Sequence, residues 1–156
     1  MGAASRAHAQ PVRLIAGVNI EGGGFVGRTE GALGGIGVHA GIHLYGFEVY
    51  GLSQGLLGSV TAGPHRAALQ GVSWNSVMLG FGAGPFHLAV GPSLDFAWGC
   101  SEQTGDGSCY RGDGLFGLDG RVAVELDHFA ISVDVHPTFY QSSAVLGVVF
   151  GLGWAY

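Results

Sequence analysis

The chain has 156 residues, enough for one domain, with a net charge of −5, 31 glycines and no lysine. Charged residues make up only 11% of it, against about a quarter in ordinary soluble domains. There is no basic cluster, so nucleic acid is excluded as a natural partner. No apolar run reaches the roughly 20 residues of a membrane helix. A hydrophobic fraction of 47% must therefore be spread by alternation, as in a β-barrel, where every backbone group is bonded within the protein.

Residues 1–10 read as lying outside the fold. Ala7-His8-Ala9 before Gln10 has the small-x-small form of a signal-peptidase site, but no apolar stretch precedes it. The segment is either a signal-peptide remnant or a disordered tail, and residues 11–156 are left for the barrel. The first strand is expected over about Val12 to Glu21, with Val12, Leu14, Ala16, Val18 and Ile20 on one face and Arg13 and Glu21 on the other. Gly22 to Gly31 reads as a glycine-rich loop. A second strand, Ala32 to Leu44, sends His39 and His43 to the inner face. Tyr45-Gly46 is a two-residue turn into a third strand at Phe47. Alternation weakens after Gly51, so Ser53 to Arg66 is expected as a long loop.

The fourth strand, about Ser73 to Ala83, points Val77, Leu79 and Phe81 outward. It also leaves Asn75 outward, an uncomfortable position unless it adjoins an interface. Gly84-Pro85 turns the chain into a fifth strand from Phe86 to Trp98, with His87, Ser93 and Asp95 inside. Pro92 removes a ladder donor and predicts a bulge. Cys100 to Asp113 is a polar loop. The sixth strand carries Asp119, Arg121 and Glu125 inward, Asp127-His128 turns, and the seventh carries Ser132, Asp134 and His136 inward. The last strand, Ala144 to Tyr156, has one wholly apolar face (Leu146, Val148, Phe150, Leu152, Trp154, Tyr156) and one of small residues.

The three tight turns fall about forty residues apart, each followed at once by an outward phenylalanine. Phe47, Phe86, Phe129, Trp154 and Tyr156 are expected to form one aromatic girdle, and Phe96, Trp98, Phe116 and Phe139 the other. The ending Gly151-x-x-Trp154-x-Tyr156 resembles the C-terminal β-signal of bacterial outer-membrane barrels; Val149, where that signal is usually polar, is a departure. By this ending and by its pattern the chain from residue 11 resembles the small outer-membrane barrels of the outer-membrane protein A and X type. The resemblance implies an all-β, eight-stranded antiparallel up-and-down transmembrane β-barrel. It implies a bacterial outer-membrane location and, as partners, the lipid bilayer and the barrel-assembly machinery during insertion. A monomer is expected.

Eight strands leave an interior that side chains fill. Register through the turns sets His43 against Glu48, Arg121 against Asp134 and Asp119 against His136. Arg13, Asp95 and Glu125 complete a polar lumen network whose charges must pair, because an unpaired buried charge costs several kcal/mol. The favoured reading is a structural plug, with surface contact through the loops. Alternatives are a narrow pore or transporter for a small solute, and a soluble lipocalin-like calyx, for which the outer face has too few charges. No cofactor or metal is expected: His39 and His43 share a face but stand about 13 Å apart. Ser93/Asp95/His87 and Ser132/Asp134/His136 are sets that alternation generates unaided, and no nucleophile elbow accompanies them, so no enzyme is expected. Cys100 and Cys109 bracket one loop and allow a disulfide in an oxidising compartment. Arg111-Gly112-Asp113 matches an adhesion tripeptide that chance explains better.

Overall fold

A computed structural model describes residues 12–26, 29–62, 67–100, 109–140 and 143–155. They form β1 (Val12–Val26), β2 (Thr29–Leu44), β3 (Phe47–Ala62), β4 (Ala67–Ala83), β5 (Phe86–Cys100), β6 (Cys109–Leu126), β7 (Phe129–Tyr140) and β8 (Ser143–Ala155). Each strand pairs antiparallel with its neighbours in sequence, and β8 closes on β1. The expected tail at residues 1–10, residues 101–108 of the polar loop, and Tyr156 lie outside the described residues.

The three tight turns gather at one end, called here the turn end. Tyr45 and Gly46 both have positive φ, 51° and 95°, the backbone of a turn whose twist matches the strands it joins. Hydrogen bonds tie each turn to the next hairpin: Gly82 N–H to Gly46 O at 2.7 Å, Glu125 N–H to Pro85 O at 2.8 Å and Ala155 N–H to His128 O at 3.0 Å.

Register fixes the shape. The row Val12, Leu44, Phe47, Phe81, Leu88, Val122, Val133, Phe150 returns to β1 at Gly22, ten residues beyond its start. Eight strands with that stagger tilt by roughly 40°. The bore that results is just wide enough for side chains.

Several expected boundaries are corrected. The stretch 22–31 is mostly strand: β1 runs on to Val26 and β2 begins at Thr29. Gly23 and Gly24 serve close packing, since a Cβ on either would strike the backbone of a neighbouring strand, at Val148 and Gly31. The loop expected over 53–66 is also largely strand. There the polarity inverts: Leu52, Gln54 and Leu56 are buried inside, while Gly51, Ser53 and Gly55 face out. Small and polar residues outside with large ones inside do not read as a barrel strand, although the period of two persists. Likewise β4 starts at Ala67 and β6 at Cys109. Pro92 makes no bulge, because the β4–β5 register is the same on either side of it, from Leu79↔Val90 to Ser76↔Ser93. The ladder simply lacks the pairs between. Pro137 interrupts the β6–β7 ladder in the same way.

The outer wall is apolar and exposed, with Leu14, Ile20, Leu79, Leu88, Val122 and Phe150 each more than half accessible. Aromatic rings collect near the two ends. Phe47 packs edge-on against Phe81 at 5.8 Å and Phe129 against Trp154 at 6.1 Å toward the turn end, and Phe116 stacks on Phe139 at 5.9 Å toward the other. Two buried apolar clusters lie inside. Tyr50, Leu52, Met78 and Ala89 sit nearer the turn end. Leu33, Leu56, Val72, Trp74 and Val149, with Phe25 and Ala97 against them, sit nearer the opposite end.

Candidate functional site in the lumen

The residues most able to do chemistry point inward, where period-two strands from all sides converge. At the turn-end mouth Glu48 Oε1 receives two histidines, His43 Nδ1 at 3.0 Å and His87 Nδ1 at 2.7 Å. His87 Nε2 lies 3.4 Å from Glu125 Oε2. Gly46 N–H donates to His43 Nε2 at 3.1 Å, fixing that ring on the turn. Arg13 stands exposed at the rim, across the ladder from His43. A cavity of about 20 Å³ between Glu48, Tyr50, His87, Arg121 and Glu125 has room for little more than one water.

Deeper in, the groups are buried. Arg121 Nη1 lies 3.5 Å from Asp134 Oδ1, and its Nη2 donates to Ser132 Oγ at 3.1 Å. Gln54 Nε2 donates to Glu21 Oε1 at 3.1 Å and reaches Asp134 Oδ2 at 3.5 Å. Ser76 donates to Asp119 at 3.0 Å and Thr138 to Asp95 at 2.6 Å. Glu21, Asp95, Asp119 and Asp134 thus outnumber the buried cations beside them; neutral amide and hydroxyl donors supply further bonds, and Glu21 Oε2, Asp119 Oδ1 and Asp134 Oδ1 have no hydrogen-bond partner among the described residues. Desolvated carboxylates depend on the partners they do have.

His136 is the hub. Its Nε2 is 3.0 Å from Asp95 Oδ2 and its Nδ1 is 3.6 Å from Asp119 Oδ2. The shorter contact is a hydrogen bond, while the approach of Nδ1 to Asp119 is an ion-pair distance without one. Trp74 stacks on the ring at 4.1 Å with planes 6° apart. Gly147 makes the slot for that indole, since a Cβ there would come within 2.6 Å of the ring.

His43 is the register partner of Glu48 and Arg121 that of Asp134, and His136 Nδ1 lies 3.6 Å from Asp119 Oδ2. The two serine–histidine–aspartate sets do not assemble as the sequence grouped them. His87 turns to Glu48, and His136 crosses to β5 instead of serving Ser132. Ser93 Oγ is 3.2 Å from His136 Nε2, but it donates to Asp95 Oδ1 at 2.8 Å. The Ser93 hydroxyl is thus committed to the Asp95 carboxylate, which also holds His136 Nε2.

Two members went unread in the sequence. Gln54 fell inside the supposed loop, though counting by twos from Glu48 through Tyr50 and Leu52 reaches it. Trp74 lay at the blurred start of the fourth strand, one residue from an outward Asn75. Cys100 and Cys109 are register partners at the end opposite the turns. The side chains of Cys109, Arg111 and Asp113 lie outside the described residues.

No protein-family model and no curated protein matches the chain. Among solved structures it is similar to Ail, the attachment invasion locus protein of Yersinia pestis. The TM-score is 0.53 at 12% identity, over 93% of this chain and 97% of that one. At that identity the likeness carries the fold alone: a closed, eight-stranded antiparallel β-barrel.

Proposed function

We propose that the protein is a bacterial outer-membrane barrel with a plugged lumen, acting as a stable scaffold for contact at the cell surface through the loops opposite its tight turns. One observation carries this reading: the wall is apolar outside, while the bore is filled by mutually bonded polar side chains and two apolar clusters. Such a wall suits lipid, and such a bore conducts nothing. The likeness to a protein described as an attachment and invasion locus product supports surface contact as the role.

The ending Gly151, Trp154 and Tyr156 serves as the insertion signal read by the barrel-assembly machinery. Trp154 supports this by facing outward within the turn-end aromatics. Val149 departs from the usual signal because its side chain belongs to the buried cluster around Trp74. A Cys100–Cys109 disulfide clips the β5–β6 loop, which their ladder pairing favours, and restrains the unfolded chain by about 2–3 kcal/mol. Neither catalysis nor a cofactor is part of this function.

Planar-bilayer recording tests the plug. The purified barrel is expected to insert without conductance steps. Stable single-channel steps would replace this reading with that of a narrow solute pore.

A further inference from the structure

Between the aromatic rings, the outward side chains of the described residues are apolar everywhere except at Ser53, Ser73 and Asn75. Ser53 lies six residues along β3 from Phe47, roughly 20 Å along the strand and therefore about 15 Å up the axis at this tilt. In a belt about 25 Å tall, Ser53 and its register partner Asn75 fall inside the hydrocarbon region, and Ser73, two residues further along β4, approaches its outer edge. They are bonded to one another: Ser53 Oγ donates to Asn75 Oδ1 at 2.8 Å, and Asn75 Nδ2 donates to Ser73 Oγ at 3.0 Å and to Leu94 O at 3.3 Å.

That leaves capacity unused. The Ser73 hydroxyl has no acceptor among the described residues, and the oxygens of Ser53 and Asn75 keep free lone pairs. Around them the wall is hollow. A groove of about 430 Å³ is lined by Val38, Ala40, Gly51, Ser53, Asn75 and Val77. Ideal Cβ atoms on Gly51 and Gly55 meet nothing within 4 Å. These two glycines are not required by packing inside the barrel, unlike Gly23 or Gly147.

Resting on the membrane reading above, we propose that this β2–β4 sector docks a second copy of the chain, giving a two-fold dimer about an axis normal to the bilayer. An acyl chain can fill the groove but offers no hydrogen bond. An identical sector brings both donors and acceptors, so the same patch answers itself, as an isologous interface requires. Small residues let two walls approach closely, and polar side chains bond across them, which is how protein surfaces associate in lipid. The monomer expected from the sequence is thereby replaced. Asn75, awkward on a lipid face, becomes an interface residue.

The test is sedimentation equilibrium in density-matched detergent micelles, comparing the native chain with Gly51→Leu and Asn75→Leu. Gly51→Leu projects into open space in the monomer and clashes only with a partner. The native chain is expected to show a reversible two-chain species. Each variant should weaken it by about tenfold while keeping the boiling-dependent gel shift of a folded barrel. A native chain that stays single at every protein-to-detergent ratio, with its gel shift intact, would overturn the dimer and leave the barrel standing. So would a Gly51→Leu variant that associates as tightly as the native chain. A native chain lacking the gel shift altogether would remove the membrane reading and the dimer with it.

Discussion

The lumen uses histidine–carboxylate contacts twice, in two surroundings. At the turn-end mouth, His43 and His87 share Glu48 with side chains 19% and 11% exposed. In the middle, His136 bridges Asp95 and Asp119 with its side chain fully buried. The distances are alike, 2.7 to 3.0 Å for the three contacts to Glu48 and Asp95, but the consequences of losing a partner are not. At the mouth an abandoned carboxylate, Glu48 at 4% exposed, still keeps a second histidine whose side chain reaches water, so one contact contributes little. In the buried middle it has nowhere to turn, so removing one partner strands a charge. Solvation, not geometry, decides what each pair does for the barrel.

The largest break in that comparison is His136→Ala. It removes the partner of two buried carboxylates and the stacking partner of Trp74, and should destabilise the barrel by about 3–5 kcal/mol. Urea titration in phospholipid vesicles measures it. Trp74→Ala, which opens a cavity in the upper apolar cluster, should cost a similar or slightly smaller amount, about 3–5 kcal/mol, without disturbing the mouth. Arg121→Met sharpens the argument. Alone it should cost about 3 kcal/mol by stranding Asp134. Combined with Asp134→Leu, much of that loss should return in a double-mutant cycle. A double variant no better than the single would mean that Arg121 acts through Ser132 and shape rather than charge. His43→Ala should cost the least, about 1 kcal/mol or under, because Glu48 keeps His87 and water reaches the mouth.

The same contrast explains what the sequence made legible. The mouth and the β6–β7 pairs follow from counting away from tight turns. Once Tyr45-Gly46 and Asp127-His128 are recognised, His43 must face Glu48 and Arg121 must face Asp134. The outer wall was equally plain wherever apolar residues alternate with small or polar ones. Legibility failed where that coupling breaks. In β3, Leu52 and Leu56 turn inward and Ser53 outward, so hydropathy reverses phase while the backbone continues unchanged. In 22–31, Gly23 and Gly24 mark close approach of neighbouring strands and not a loop. His136 follows from counting along β7, but its second carboxylate, Asp95, and its stacking partner, Trp74, sit on β5 and β4. Contacts across the bore depend on the ten-residue stagger of the closed barrel, which no local pattern encodes.

The most direct test of the whole account is fractionation of expressing cells, followed by electrophoresis of the membrane fraction with and without boiling. The account predicts a band in the outer membrane that runs compact when unheated and shifts on boiling, as a closed barrel with a filled, bonded lumen should. A protein recovered in the soluble fraction with no shift would contradict it, and the apolar wall would then have to be covered by something other than lipid.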